Sequence, residues 1–123
     1  GETAAIQELT RGFKDDPDTL IILKTLAQSY KNEAVRKTAI EELANGFKDT
    51  VVMFEFLYDR AMNDPSKRWF YNPRETALEG IIKNYPDNPK TLELLKDRAK
   101  NDPDNYLREY AKQVLKEKFG EEV

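Results

Sequence analysis

Arg36, Arg74 and Arg108 each stand three residues ahead of an alanine, and Trp69, Phe70 and Tyr71 run consecutively between two turn signals, Asp64-Pro65 and Asn72-Pro73. Guanidinium groups recurring in this way do one of two kinds of chemistry. They pair with aspartates or with carbonyls at helix C-termini, which is structural, or they form a row that grips phosphates. The aromatic run, flanked by Lys67, Arg68 and Arg74, also has two readings. It folds back over the preceding helix and completes a local core, provided that Trp and Tyr find partners for their polar ends. Alternatively it stays exposed as a docking patch, since aromatic and Arg residues dominate binding hot spots.

Other chemistry finds little to work with. The chain has no His and no Cys, so imidazole ligands, the usual general base near neutral pH and thiol nucleophiles are all missing. The carboxylate pairs Asp15/Asp16, Glu41/Glu42 and Glu121/Glu122 are sequence neighbours and point in different directions on a helix, which makes a poor acid–base pair. The five glycines form no phosphate-cradling loop. The residues therefore predict no catalytic group, no metal site and no cofactor, and a non-enzyme.

Composition narrows the class further. A chain of 123 residues holds one domain with a modest core. Its 39% hydrophobic content keeps too many Leu, Ile and aromatic side chains for disorder, even with 35% charged residues. The net charge of −3 argues against a surface dominated by phosphate contacts. No run approaches the roughly 18 apolar residues of a membrane span, and the absence of cysteine fits a cytoplasmic protein.

What positions these residues is an internal repeat. AIQELTRGFKD begins at Ala5, AIEELANGFKD at Ala39, ALEGIIKNYPD at Ala77 and AKQVLKEKFGE at Ala111, at intervals of 34, 38 and 34 residues. Like offsets carry like residues. An aromatic follows each Ala by eight positions (Phe13, Phe47, Tyr85, Phe119), a Leu by eighteen (Leu23, Leu57, Leu95) and a second Ala by twenty-two (Ala27, Ala61, Ala99). The four additional residues fall in the middle unit, in the stretch that holds the aromatic run.

Each unit reads as two helices. Leu20, Leu23 and Ala27 form an inward stripe, as do Leu92, Leu95 and Ala99; Val35, Ala39, Ile40, Leu43 and Phe47 form the stripe of a second helix. Asp16-Pro17 and Asn88-Pro89 place a capping side chain before a first-turn proline, and Asn72-Pro73 adds Glu75 as a capping-box partner. The pattern predicts a lone helix at 3–13 and then three pairs, 17–30 with 34–46, 50–62 with 73–84, and 89–101 with 104–118. These make a half repeat at 3–13 and repeats at 17–46, 50–84 and 89–118. One hairpin cannot cover its own apolar face, so stacked hairpins must share a continuous core.

The middle unit departs from its neighbours. Tyr58 stands where they have Lys24 and Lys96, and Val51 where they have Pro17 and Pro89. Its first helix, TVVMFEFLYDRAM, is apolar nearly all round, which predicts burial on more than one side.

A period of 34 also suits tetratricopeptide hairpins. That register matches Ala27, Ala61 and Ala99 but puts Arg60 and Arg98 at a buried Leu position, where an unpaired charge would be costly. The second helix, Asp102…Leu107-Arg108-x-x-Ala111-x-x-x-Leu115, instead resembles the HEAT repeat. GFKDDPDTL, TLELLKDRAKNDPD and AIEELANGFKD are similar to short HEAT-type arrays attached to bacterial, notably cyanobacterial, signalling NTPases of the NACHT class. The resemblance covers nearly the whole chain. It implies an all-α, right-handed helical-hairpin solenoid of about seven helices. It also implies an inter-repeat ladder of Arg36, Arg74 and Arg108 with Asp64 and Asp102, and a sensing or scaffolding surface in place of a catalyst. Two departures bear on the ladder: Tyr30 replaces the first Asp, and the insertion lengthens the Asp64 to Arg74 interval.

Partner expectations follow. A protein or peptide docks on Tyr58, Lys67, Arg68, Trp69, Phe70, Tyr71 and Arg74. Nucleic acid is the alternative, on Lys96, Arg98, Lys100, Arg108, Lys112, Lys116 and Lys118, but Asp97, Asp102, Asp104, Glu109 and Glu117 dilute that density and favour a solvated, internally paired face. HEAT-like chains also include chromophore lyases, for which no signature is present. Lys112 follows Ile6, Ile40 and Leu78 at its offset, and Lys116 follows Thr10, Ala44 and Ile82, a polar substitution of the kind a capping helix requires, while Ile6 and Leu9 remain apolar at the other end. The contrast predicts the C-terminal part of a longer array, or a homodimer through the uncapped first helix.

Overall fold

Side-chain caps set most of the helix starts. In the computed structural model, which describes residues 1–122, Asp16 caps α2 (Pro17–Ser29), Asn32 caps α3 (Glu33–Gly46) and Asn72 caps α5 (Pro73–Asn84). Asn88 caps α6 (Pro89–Asn101) by accepting from the Lys90 N–H, and Asp104 caps α7 (Asn105–Phe119) by accepting from the Leu107 N–H. With α1 (Glu2–Phe13) and α4 (Met53–Asn63) the described residues form seven helices and no strand. The fold is all-α.

The start of α4 differs from the periodicity. It begins at Met53, three residues after the expected position, because Val51 replaces the helix-starting proline and no side chain caps the turn. Val52 enters the helix with φ at +64°, a left-handed conformation that crowds a β-branched side chain. Nor is α4 buried all round: Met53, Phe54, Leu57, Arg60 and Ala61 are buried, while Glu55 and Asn63 face solvent, as do Val51 and Val52 just before it. Asn72 caps α5 by accepting from the Arg74 N–H at 2.8 Å, but Glu75 does not complete the capping box. Its carboxyl accepts no hydrogen bond from the Asn72 backbone.

The strongest packing joins α2 to α3, α4 to α5 and α6 to α7, and α3 packs further against α1 and α5. Like positions of the three hairpins share the core. Leu23, Leu57 and Leu95 are fully buried, as are Ala39, Ala77 and Ala111. Each such Leu is worth about 1.5–3 kcal/mol of burial. The steps between hairpins are unequal, however. A methyl group on Gly80 of α5 would stand 2.8 Å from the Ala44 Cβ of α3, so these helices approach along their backbones. One step on, the matching positions are Ile82 and Val114, both buried, and the larger side chains hold α5 and α7 further apart.

Arg60 and Arg98 are buried, but not unpaired. Arg60 donates through Nε and Nη2 to Asp59 at 3.2 and 2.8 Å, and Arg98 does the same to Asp97 at 3.1 and 2.8 Å while also reaching Asp102. The charge that weighed against a tetratricopeptide register is thus neutralised by an adjacent aspartate.

Candidate functional site

The arginines spaced along the chain reach across it to acidic groups at a constant separation. Arg36 donates from Nε to Asp64 Oδ2 at 2.8 Å and from Nη2 to Oδ1 at 3.1 Å. Arg74 repeats the geometry on Asp102 at 3.0 and 3.1 Å. The separation is 28 residues in both pairs. The third nitrogen hooks back onto carbonyls of the preceding loop: Arg36 Nη1 to Tyr30 and Lys31, Arg74 Nη1 to Asp64 and Ser66, and Arg108 Nη1 to Asp102. Tyr30 in the Asp position leaves this hook intact, since only its carbonyl is used. The insertion is tolerated for a related reason. It lies between Asp64 and Arg74, outside the 28-residue span.

These forks anchor the aromatic loop. Asp64 accepts from the Ser66 N–H at 3.0 Å, Ser66 Oγ donates to Glu33 at 3.0 Å, and Asn72 Nδ2 donates to the Arg68 carbonyl at 2.6 Å. Asp64, Ser66, Asn72 and Arg74 are buried. The base of the loop is therefore fixed and its polar groups satisfied. Its tip is not covered: Trp69 is 60% exposed, Phe70 37% and Tyr71 66%. The reading in which this loop folds over α4 to complete a core is overturned. The inner side of α4 is taken by α5, and the three rings of the loop pack on one another and on Tyr106.

The three rings hold one another edge to face, with centroids 4.9 Å apart for Trp69–Phe70 and 5.5 Å for Phe70–Tyr71. Tyr106 of α7 extends the cluster at 6.0 Å from Trp69. Two cations lie over ring faces, Arg68 at 4.7 Å from Phe70 and Lys37 of α3 at 5.5 Å from Tyr71. Tyr71 adopts φ of +52°, an uncommon conformation for a bulky residue, retained where the chain just after it is fixed by the Asn72 cap and the buried Arg74.

Not every expected residue joins this cluster. Tyr58 lies elsewhere, tilted against Phe54 at 5.9 Å in a groove between α4 and α6 with Met62, Lys90 and Glu93. Its phenol is raised by burial and then by Glu93 and Asp97. Arg74 is no rim residue either. It is buried, with its nitrogens committed to Asp102, Asp64 and Ser66, so it holds the loop from beneath and offers nothing to a partner. Lys67 and Arg68 are exposed at the loop. Arg68 is also linked to Glu33 at 3.5 Å.

Groups missed by sequence reasoning complete the surroundings. Lys37, paired with Glu41 at 3.1 Å, and Tyr106 are separated from the loop by some thirty residues of chain and carry no aligned signal. Beside them on α5, burial raises the Glu75 carboxyl to about 7, with Glu79 and Asp104 adding to the shift and Lys37 opposing it. Glu79 is raised as well, first by burial. Burial, followed by the charges of Glu79 and Glu75, pushes the Tyr110 phenol up. Of the seven basic residues proposed for nucleic acid, Arg98 is buried, and Lys96 and Lys112 are paired with Glu121 and Glu109.

No family model, curated protein or solved structure matches the chain. No described helix is long and apolar enough to cross a membrane.

Proposed function

We propose that this chain is a HEAT-like, right-handed helical-hairpin solenoid. Its role is that of a non-catalytic interaction, scaffold or sensor module, docking a partner protein or peptide on the tip of the 67–71 loop. The observation that carries the reading is the pairing of a buried, fully hydrogen-bonded loop base with three adjoining exposed aromatics. A free surface rarely keeps such a cluster, and Trp, Tyr and Arg on a rigid support lose little conformational entropy on binding, which is what hot spots require. Two observations support the solenoid: equivalent alanines and leucines fill one core, and Arg–Asp forks join successive units at one separation. That fork also favours the HEAT resemblance over the tetratricopeptide one.

The test is capture by the wild-type chain and by a Trp69→Ala/Tyr71→Ala variant, each checked for folding by circular dichroism and denaturant unfolding. The reading expects the variant to keep its stability and lose the captured partner. Capture unaffected by the double substitution contradicts it.

A further inference from the structure

Gly80 lets α3 and α5 meet along their backbones, whereas α5 and α7 stand apart. The wider step leaves a cleft of about 810 Å³, walled by Glu79 and Ile82 of α5 and by Tyr110 and Phe119 of α7. Its loop-side end runs into the aromatic cluster, because Tyr106, one turn before Tyr110 on α7, meets Trp69 at 6.0 Å. Two kinds of group face each other there. The Tyr106 and Tyr110 rings come from α7 and the Glu75 and Glu79 carboxyls from α5, close enough that Glu79 and then Glu75 add to the effect of burial in pushing the Tyr110 phenol up. Asp104 adds negative charge beside Glu75. Lys37 of α3, the cation that opposes these carboxyls, is already paired with Glu41 at 3.1 Å and lies over the Tyr71 ring at 5.5 Å. An ammonium held between a tyrosine face and a glutamate is thus an arrangement that this surface already makes once.

We propose that the partner segment docked on the aromatic loop is basic, and that it places a lysine or arginine side chain in the cleft, between the Tyr106 and Tyr110 rings of α7 and the Glu75 and Glu79 carboxyls of α5. This partner chemistry presupposes the docking role proposed for the loop. Charge complementarity selects it. Glu75 and Glu79 are raised chiefly by burial and further by neighbouring carboxylates, so a cation entering the cleft offsets a repulsion that folding has built in, and the ring faces attract it as well. An acidic or phosphorylated segment would add to that repulsion. Lys83 and Lys118, in the last turns of α5 and α7, line the other end of the cleft beside Asp87. The acidic half is therefore the one next to the loop, within reach of a segment already resting on Trp69.

The experiment titrates the chain at pH 8, above the Glu75 value, with the blocked peptide Leu-Lys-Leu-Lys-Leu and with its uncharged counterpart Leu-Gln-Leu-Gln-Leu. NMR follows the Glu75 and Glu79 carboxyl signals, the Tyr110 ring and the Trp69 indole N–H. The lysine peptide is expected to move all of these saturably and to bind about tenfold or more tightly than the glutamine peptide, the difference that one charge-assisted pair makes. Glu75→Gln/Glu79→Gln should erase that difference and leave the Trp69 response in place. Movement of Trp69 alone, equal binding of the two peptides by the wild-type chain, or a difference that survives the double substitution overturns the basic partner and leaves loop docking standing. Movement of the cleft groups with Trp69 unmoved overturns the proposal together with the docking role beneath it. No movement of any signal, or equal movement of the acidic residues Asp15, Asp16 and Asp18 before and at the start of α2, overturns it as well.

Discussion

Arg74 and Asp102 form a bidentate ion pair across 28 residues of chain, with donor–acceptor distances of 3.0 and 3.1 Å and both side chains buried. Asp102 also accepts from Arg98 and from the Asp104 N–H, so one carboxylate ties α5, α6 and the turn before α7. Breaking such a pair from one side leaves a buried guanidinium uncompensated, which costs about 3–5 kcal/mol. Asp102→Ala is therefore expected to lose that much in denaturant unfolding, and Asp64→Ala to lose a similar amount. A loss below about 1 kcal/mol would mean that solvent reaches the fork.

Tyr30 and Glu2 occupy the corresponding places one unit earlier, also 28 residues apart, with Tyr30 Oη donating to Glu2. The rung is reversed, with the acid on the N-terminal side and a phenol in the aspartate's place, and both groups are exposed. Tyr30→Phe should leave the unfolding midpoint where it is. A loss comparable to that of Asp64→Ala would contradict the assignment of this rung as a solvent-facing contact.

Val52 enters α4 in a left-handed conformation without a side-chain cap. Glycine adopts that conformation freely and is acceptable at a helix N-cap, and Val52 is 54% exposed, so little packing is lost. Val52→Gly should stabilise the chain by about 1 kcal/mol, read as a raised unfolding midpoint. A lowered midpoint would show that the valine packs more than its exposure indicates.

Gly80 lets α3 and α5 approach. An added methyl would stand 2.8 Å from the Ala44 Cβ, an overlap that costs about 1–3 kcal/mol and outweighs the roughly 1 kcal/mol helix-propensity gain from removing a glycine. Gly80→Ala is expected to destabilise, and adding Ala44→Gly to recover part of the loss. Additive effects would remove the proposed contact.

Glu75 gives stability a pH dependence of predictable sign. Its folded value, about 7, lies above the 4.5 of the free side chain, chiefly because burial disfavours the charge. The folded state thus holds the proton more tightly. Stability is lost as pH rises from 4.5 through 7, and the full cost applies above that range. Because the carboxyl is only half-buried, solvent screening reduces the effect to about 1 kcal/mol. Glu75→Gln should accordingly stabilise the chain at pH 8 and change little at pH 4. The reverse order would place the charged form in a favourable environment.

Much of the helical core is legible in the sequence because like positions of the three hairpins are buried alike. The alanines at 39, 77 and 111 and the leucines at 23, 57 and 95 recur where side chains meet the same neighbours, and all six are fully buried. The caps at Asp16, Asn72 and Asn88 are local chemistry, and they set the starts of α2, α5 and α6. The site was less legible. Arg74 reads as a rim cation because it flanks the aromatic run together with Lys67 and Arg68, yet it is buried against Asp102, far along the chain. Tyr106 and Lys37 reach the loop only through tertiary packing. Whether an aromatic run is core or surface depends on what else covers α4, and no local pattern records that.

Trp69 is the single tryptophan of the chain, so its fluorescence reports the loop tip alone. The measurement is its emission maximum and acrylamide quenching in the native state, compared with the denatured chain. An exposed docking loop predicts emission close to that of tryptophan in water, with quenching approaching the denatured value and no accompanying loss of helical circular dichroism. Blue-shifted, quencher-resistant emission from the native chain would place Trp69 in a core and contradict the docking surface on which the proposed function rests.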